Sequence, residues 1–308
     1  NPSEASSMTS IDLETVLTII YVLVDDWYQA GGSRFLKGKA GAKAWFSDSE
    51  MLTLMVAQDY IPYPGERQYI GYIRANYGHL FPHLVDASQY NRRGRGLRYL
   101  LEQMRQEWLQ QLGVDAPEYL LLDTKPIPVV GYKRRKSHSD FAGSAGYGHC
   151  AARNLKYFGY KLVLLTTLDG LPLVYELVAA NTDEHAAAEV VLAQVTASKV
   201  LGDKGFLGEK WQAEVYQDTL NRVWTMKRTN QANQNPPQFD RLLGRLRERI
   251  EGTFHQLQNT GRNLERLLAK TVHGLVTRVI AKVTSMVLKY LLLRQFGVDV
   301  QSFQTVSI

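Results

Sequence analysis

Tyr119-Leu120-Leu121-Leu122-Asp123-Thr124-Lys125-Pro126 is the stretch that decides the fold. An apolar run ends in a carboxylate, with Pro126 and Pro128 close behind, which reads as a short buried strand carrying an acid at its end. Downstream, Phe158 to Thr167 and Leu171 to Val178 are β-rich and are separated by Leu168-Asp169-Gly170, a strong hairpin signal. A helix over Asp183 to Ala197 follows, entered through Asn181-Thr182. A strand, Lys199-Val200-Leu201, then runs into Gly202-Asp203-Lys204-Gly205. Another helix (Gly208 to Leu220) and strand (Arg222 to Lys227) lead to a polar loop, Asn230 to Gln238. Beyond it Phe239, Leu242, Leu243, Leu246, Ile250, Phe254 and Leu257 trace the apolar stripe of one long helix. Alternating strands and helices predict an α/β fold.

Upstream the texture is helical from residue 9 to 112. Ile11, Val16, Ile19, Ile20, Leu23 and Trp27 recur at helical spacing, and Ser47 with Glu50 has the form of a capping box. Helices are also expected at Glu66 to Tyr77 and Gly96 to Leu112, with Asn91 to Arg95 as a flexible cationic loop between them. Trp27, Trp45 and Trp108 are expected in the helical core. The boundary falls near Gly113 to Ala116. A single cysteine, Cys150, excludes an intrachain disulfide framework and a multi-cysteine metal site. A reducing, cytoplasmic setting fits that single cysteine, and Asn1 to Ser10 has no cationic start followed by an apolar stretch, so no signal peptide is read there. Leu275 to Leu293 is apolar but carries Arg278, Lys282 and Lys289 roughly on one face, which reads as an amphipathic helix and not a membrane span.

The formal net charge of +6 over 308 residues hides a partition. Residues 125–161 carry +7, residues 162–221 carry −6 and residues 222–270 carry +6. Basic blocks recruit polyanions, and an acidic stretch between them offers carboxylates for a metal; solvated surface charge is the competing reading. Lys133-Arg134-Arg135-Lys136 lies in a Gly- and Ser-rich segment with Tyr132, Phe141 and Tyr147, which suits phosphate contacts and base stacking. Arg241, Arg245, Arg247 and Arg249 decorate the last long helix.

Asp123, Asp203 and Glu251 stand out among the acids, two after strands and one on a helix. Hard divalent cations take oxygen ligands, and three carboxylates suffice for two ions around a phosphodiester. Any one of them alone reads more simply as a cap, turn or ion-pair residue. Ser137, His138, Ser139 and Asp140 have the residue types of a hydrolase triad, but neighbours on one short loop cannot adopt its geometry. His149-Cys150 lacks the partners of a thiol site, and Gly143 to Gly148 lacks the ending of a phosphate-binding P-loop.

The ordered series Leu121-Leu122-Asp123-Thr124-Lys125-Pro126, Tyr160-Lys161-Leu162 with Asp169-Gly170, Ala180-Asn181-Thr182-Asp183, Leu201-Gly202-Asp203-Lys204-Gly205-Phe206 and Arg247-Glu248-Arg249-Ile250-Glu251-Gly252-Thr253-Phe254 resembles the DDE transposases of bacterial insertion sequences. The likeness covers about residues 117 to 293. It implies an RNase H-like mixed sheet flanked by helices, preceded by an all-helical N-terminal domain. The expected spans are 1–115 for DNA-end binding and assembly, 116–296 for catalysis and 297–308 for a tail.

By the resemblance, Asp123, Asp203 and Glu251 are the catalytic and metal residues, holding two Mg²⁺ (or Mn²⁺) ions, with Asp123 bridging both. Glu248 competes with Glu251 on the helix. The family's Tyr, Arg, Glu, Lys signature favours Glu251, since Arg247 stands four positions before it. Gly244 and Gln258 occupy the Tyr and Lys positions, a departure that bears on contacts with the transposon end. Lys133, Arg134, Arg135, Lys136, Arg245, Arg247 and Arg249 are the candidate DNA contacts. The implied activity is cleavage at inverted ends by water and joining of the 3′-hydroxyl to target double-stranded DNA, by a homodimer on paired ends. A former transposase kept as a DNA-binding regulator, and a nuclease without strand transfer, are the rival readings.

Overall fold

The structure, a computed structural model, describes residues 11–36, 44–114, 117–150, 153–227 and 234–300. Asn1 to Ser10, part of the expected polar loop and most of the expected tail lie outside the described residues. The chain forms two compact units. One takes the described residues up to Trp108 together with those from Ile280 onward, and the other is Leu109–Val279. The last helix, α8 (Val272–Phe296), has its residues up to Val279 in the second unit and those from Ile280 in the first.

The first unit is helical. Its elements are α1 (Leu13–Gln29), α2 (Asp48–Ala57), α3 (Glu66–Tyr77), most of α4 (Ala87–Gln111) and the later part of α8. Asp12 caps α1 by accepting from Thr15 N, and the capping box of α2 is complete in both directions between Ser47 and Glu50. The expected loop at Asn91 to Arg95 is instead continuous helix within α4. Arg93 is held by Asp48 at 2.8 Å and by the Phe46 carbonyl at 2.7 Å, and a Cβ added at Gly94 would stand 3.2 Å from Met55 Cε. Gly94 thus marks a close packing contact, not a break. Trp27 and Trp108 are buried, whereas Trp45 is 83% exposed and meets His83 edge-on.

Lys282 departs from the expected amphipathic stripe. Its ammonium is buried and lies 3.2 Å from the buried Asp59 carboxylate, so α8 hides a charge among apolar neighbours by pairing it. No helix among the described residues is long and apolar enough to cross a membrane.

The second unit is built on a six-stranded sheet. β1 (Tyr119–Val130) is central: it pairs antiparallel with β3 (Leu155–Thr166) and, through Tyr119 to Leu122, parallel with β5 (Lys199–Gly202), which pairs parallel with β6 (Arg222–Thr225). On its other edge β3 pairs antiparallel with β4 (Pro172–Ala179) through Tyr160 to Thr166 and with β2 (Gly146–Cys150) through Leu155 to Gly159. The antiparallel strands β4, β3 and β1 followed by the parallel β5 and β6 give the mixed sheet of the RNase H-like fold. The helices of this unit are α5 (Glu184–Leu192), α6 (Glu209–Thr219) and α7 (Pro237–Asn259).

Two expectations change. Gly146 to Cys150 forms strand β2 where a loop was expected, because β3 extends back to Leu155 and offers an edge. β1 likewise runs past Asp123. Only its pairing with β5 stops at Leu122, and Pro126 and Pro128 are accommodated where one edge of the strand is released from that ladder. One face of the sheet is sealed by Leu120, Leu122, Val163, Leu165, Val200 and Val223 against Ala187, Ala188, Val191, Trp211 and Val215 of α5 and α6.

Candidate active site

Side chains alternate across a strand, so Leu120 and Leu122 belong to the sealed face and Asp123 shares the opposite face with Leu121. There α7 packs on β1 and β5 through Leu243, Ile250, Phe254 and Leu257. Leu243, Arg247 and Ile250 of α7 line a cavity of about 10 Å³ together with Asp123 of β1 and Asp203, the residue after β5. That space holds about one water. The parallel register Leu122↔Gly202 is what brings the two aspartates to neighbouring positions.

Asp123 is partly buried and accepts a 2.7 Å bond from Thr124 N. Burial pushes its carboxyl up to about 7, and the charges of Asp203 and Glu251 push the same way; the Thr124 amide and Arg247 oppose them. Of the α7 groups, Arg247 and Glu251 act on Asp123 with opposite sign. Helical phase places Arg247, Ile250, Glu251 and Phe254 on one face. Thr253 fixes that phase by donating to the Gly170 carbonyl at 3.2 Å, and Arg249 donates to the Leu168 carbonyl at 3.0 Å.

Asp203 caps a short 3-10 turn, Lys204–Phe206, by accepting from Gly205 N at 2.7 Å. Glu251 is paired with Arg247 at 3.2 Å and is more than half exposed. Among the described residues no three His, Cys, Asp or Glu side chains are gathered closely enough to hold a metal ion. The donor set still fits a hard cation in chemistry: all the acids are oxygen ligands, and burial and neighbouring acids disfavour a bare Asp123 carboxylate.

One acid not singled out in the sequence lies near Asp203. Glu184, first residue of α5, is half-buried, and burial together with the Asp203 and Asp183 charges raises its carboxyl above the usual range against the pull of Lys161. Asn181-Thr182-Asp183 marked this corner in the sequence, and Glu184 is the next residue.

The candidate DNA contacts separate. Lys133, Arg134, Arg135 and Arg245 are exposed. Lys136 turns inward, donating to the Tyr132 carbonyl and standing 5.3 Å from the Tyr147 ring and 5.5 Å from the Phe158 ring. Tyr132 and Tyr147 are about half exposed, whereas Phe141 is buried against Tyr160 and cannot stack on a base. Asp140 caps α8 by accepting from Val272 N at 2.7 Å, which removes it from any triad with Ser137 and His138.

The family described as Transposase DDE domain matches residues 116–288, more than half of the chain. The chain belongs to the transposase DDE domain family. No curated protein and no solved structure matched it. A DDE transposase acts on DNA, and the family generally uses divalent metal ions. The matched span contains the whole sheet, Asp123, Asp203 and Glu251.

Proposed function

We propose that this DDE transposase binds the terminal inverted repeats of an insertion sequence, cleaves at the ends and joins the freed 3′-hydroxyl to target DNA. Asp123, Asp203 and Glu251 are the carboxylates that do this. The observation that carries the reading is the convergence of Asp123, Asp203 and Arg247 on one small cavity, with Glu251 paired to Arg247 on the same helix.

Asp123 and Asp203 would hold divalent cations, Mg²⁺ or Mn²⁺, with Glu251 joining once Arg247 lets go. Two such ions, when bound, supply charge neutralisation and an activated nucleophile for phosphoryl transfer. Arg247, freed from Glu251, is then placed beside the reacting phosphate as a counter-charge. Lys133, Arg134, Arg135 and Arg245 give the exposed cations that neutralise phosphates along the duplex. Lys136 stiffens the Tyr132–Tyr147 corner from inside, and Arg249 holds the β3–β4 hairpin. The helical unit serves end recognition and assembly, and a homodimer brings two ends together.

The test is an assay of the chain on duplexes carrying its element's ends, with and without Mg²⁺. Cleavage followed by joined product supports transposition. Cleavage without joining would favour a nuclease, and binding without cleavage a regulator.

A further inference from the structure

Asp203 is not held by its own turn alone. Asp183 performs the capping of α5, accepting from His185 N at 2.9 Å, so the neighbouring Glu184 side chain is left to reach across to the turn. A Cβ added at Gly205 would overlap Glu184 Oε2 outright and stand 2.9 Å from Asp203 Oδ1. Both carboxylates therefore border the same glycine Cα. Two acids so placed repel, and Lys161 pairs with one of them, Glu184. Its ammonium lies 3.9 Å from Glu184 Oε1 and donates to the Thr182 carbonyl at 2.8 Å, tying β3 to the start of α5. The far end of the turn is strapped by the next residue. His185 Nε2 lies 3.0 Å from the Leu207 carbonyl, its ring stacks on Trp211 at 4.2 Å, and Trp211 Nε1 donates to Glu189 at 2.8 Å.

We infer that the Lys161–Glu184 pair is a positioning device that presents the Asp203 carboxylate for cation binding. The inference rests on the reading of Asp203 given above. Glu184 blocks the space into which the 203–205 turn would relax, and Lys161 keeps Glu184 in that space. Neither needs to touch the substrate.

Charge and positioning make opposite forecasts for Lys161. If Lys161 acted only as a nearby positive charge, removing it would tighten cation binding; as the anchor of the clamp, its removal loosens the turn and weakens binding. The experiment is calorimetric titration of the full chain with Mn²⁺, with thermal melts as a check on folding. Lys161→Met and Glu184→Gln should each weaken Mn²⁺ binding about ten-fold or more, the loss typical of a partner that orients a metal-binding side chain. Lys161→Arg should restore it. Unchanged or tighter binding by a cooperatively melting Lys161→Met would overturn the inference. Wild-type binding by Glu184→Gln would overturn it as well, should Lys161→Met not fold. Asp203→Ala separates the two levels: unchanged binding there would overturn the reading of Asp203 itself, whereas loss there with intact binding in the clamp variants sinks only the clamp.

Discussion

Arg247 Nε lies 3.2 Å from Glu251 Oε1 across one turn of α7, and both charges act on Asp123 with opposite sign. Arg247 lines the cavity beside the two aspartates, and its partner Glu251 is the helix carboxylate proposed to join a cation. Both side chains are well exposed, so the pair itself is worth about 0–1 kcal/mol. Arg247→Ala should therefore bind Mn²⁺ more tightly by a modest factor, up to about five-fold, while binding DNA more weakly. Titration calorimetry and a DNA-binding isotherm at one salt concentration check the two halves of that expectation.

The raised carboxyl of Asp123 sets a pH dependence. Its ordinary value is 3.8 and its folded value about 7, so between those limits the folded chain keeps a proton that the unfolded chain has lost. The contribution to stability is present below pH 3.8 and is lost as pH rises toward and through about 7. In the presence of a chelator, Asp123→Asn should be more stable than the parent at pH 8, and the difference should shrink toward pH 5. Denaturant titrations at both pH values measure it. Mn²⁺ binding should weaken as pH falls through 7, with proton release on loading.

The basic segment after β1 gives a salt prediction. Replacing Lys133, Arg134 and Arg135 together by Ala should reduce the slope of log affinity against log salt by roughly 0.9 for each duplex phosphate that is no longer neutralised. Lys136→Ala should leave that slope nearly unchanged, because its ammonium is committed to Tyr132, Tyr147 and Phe158. A Lys136→Ala slope change as large as that of an exposed neighbour would show that the inward position is not the one used on DNA.

In the helical unit, Lys282 and Asp59 form a buried pair. Removing one member leaves an uncompensated charge, so Lys282→Ala should cost about 3–5 kcal/mol. The double change Lys282→Met with Asp59→Leu should recover most of that loss. Chemical denaturation of the single and double variants decides it.

Much of this was legible in the sequence because periodicity and turn chemistry act locally. The capping box at Ser47 and Glu50, the Leu168-Asp169-Gly170 hairpin and the apolar stripe of α7 each read directly as the element found. What could not be read were features set by tertiary contact. Arg93 and Gly94 look like loop residues until Asp48 and Met55 are seen to receive them. Lys282 looks solvated until Asp59 is placed against it, and Gly146 to Cys150 becomes a strand only because β3 supplies an edge. At the site, Asp123, Asp203 and the Arg247–Glu251 step were visible as an ordered series. Glu184 was not, since its proximity to Asp203 depends on the packing of α5 against the turn after β5, and Lys161 stood in the series without its partner Glu184.

The most direct measurement is Mg²⁺-dependent cleavage and joining of a duplex carrying the element's own end, compared between the parent chain, Asp123→Asn and Glu248→Gln. With Asp123 at the centre of the site and Glu251 its helical partner, Asp123→Asn should lose activity by about a hundred-fold or more, on the scale of removing one preorganised electrostatic group. Glu248→Gln should stay near the parent. Full activity in Asp123→Asn, with folding intact by thermal melt, would contradict the assignment.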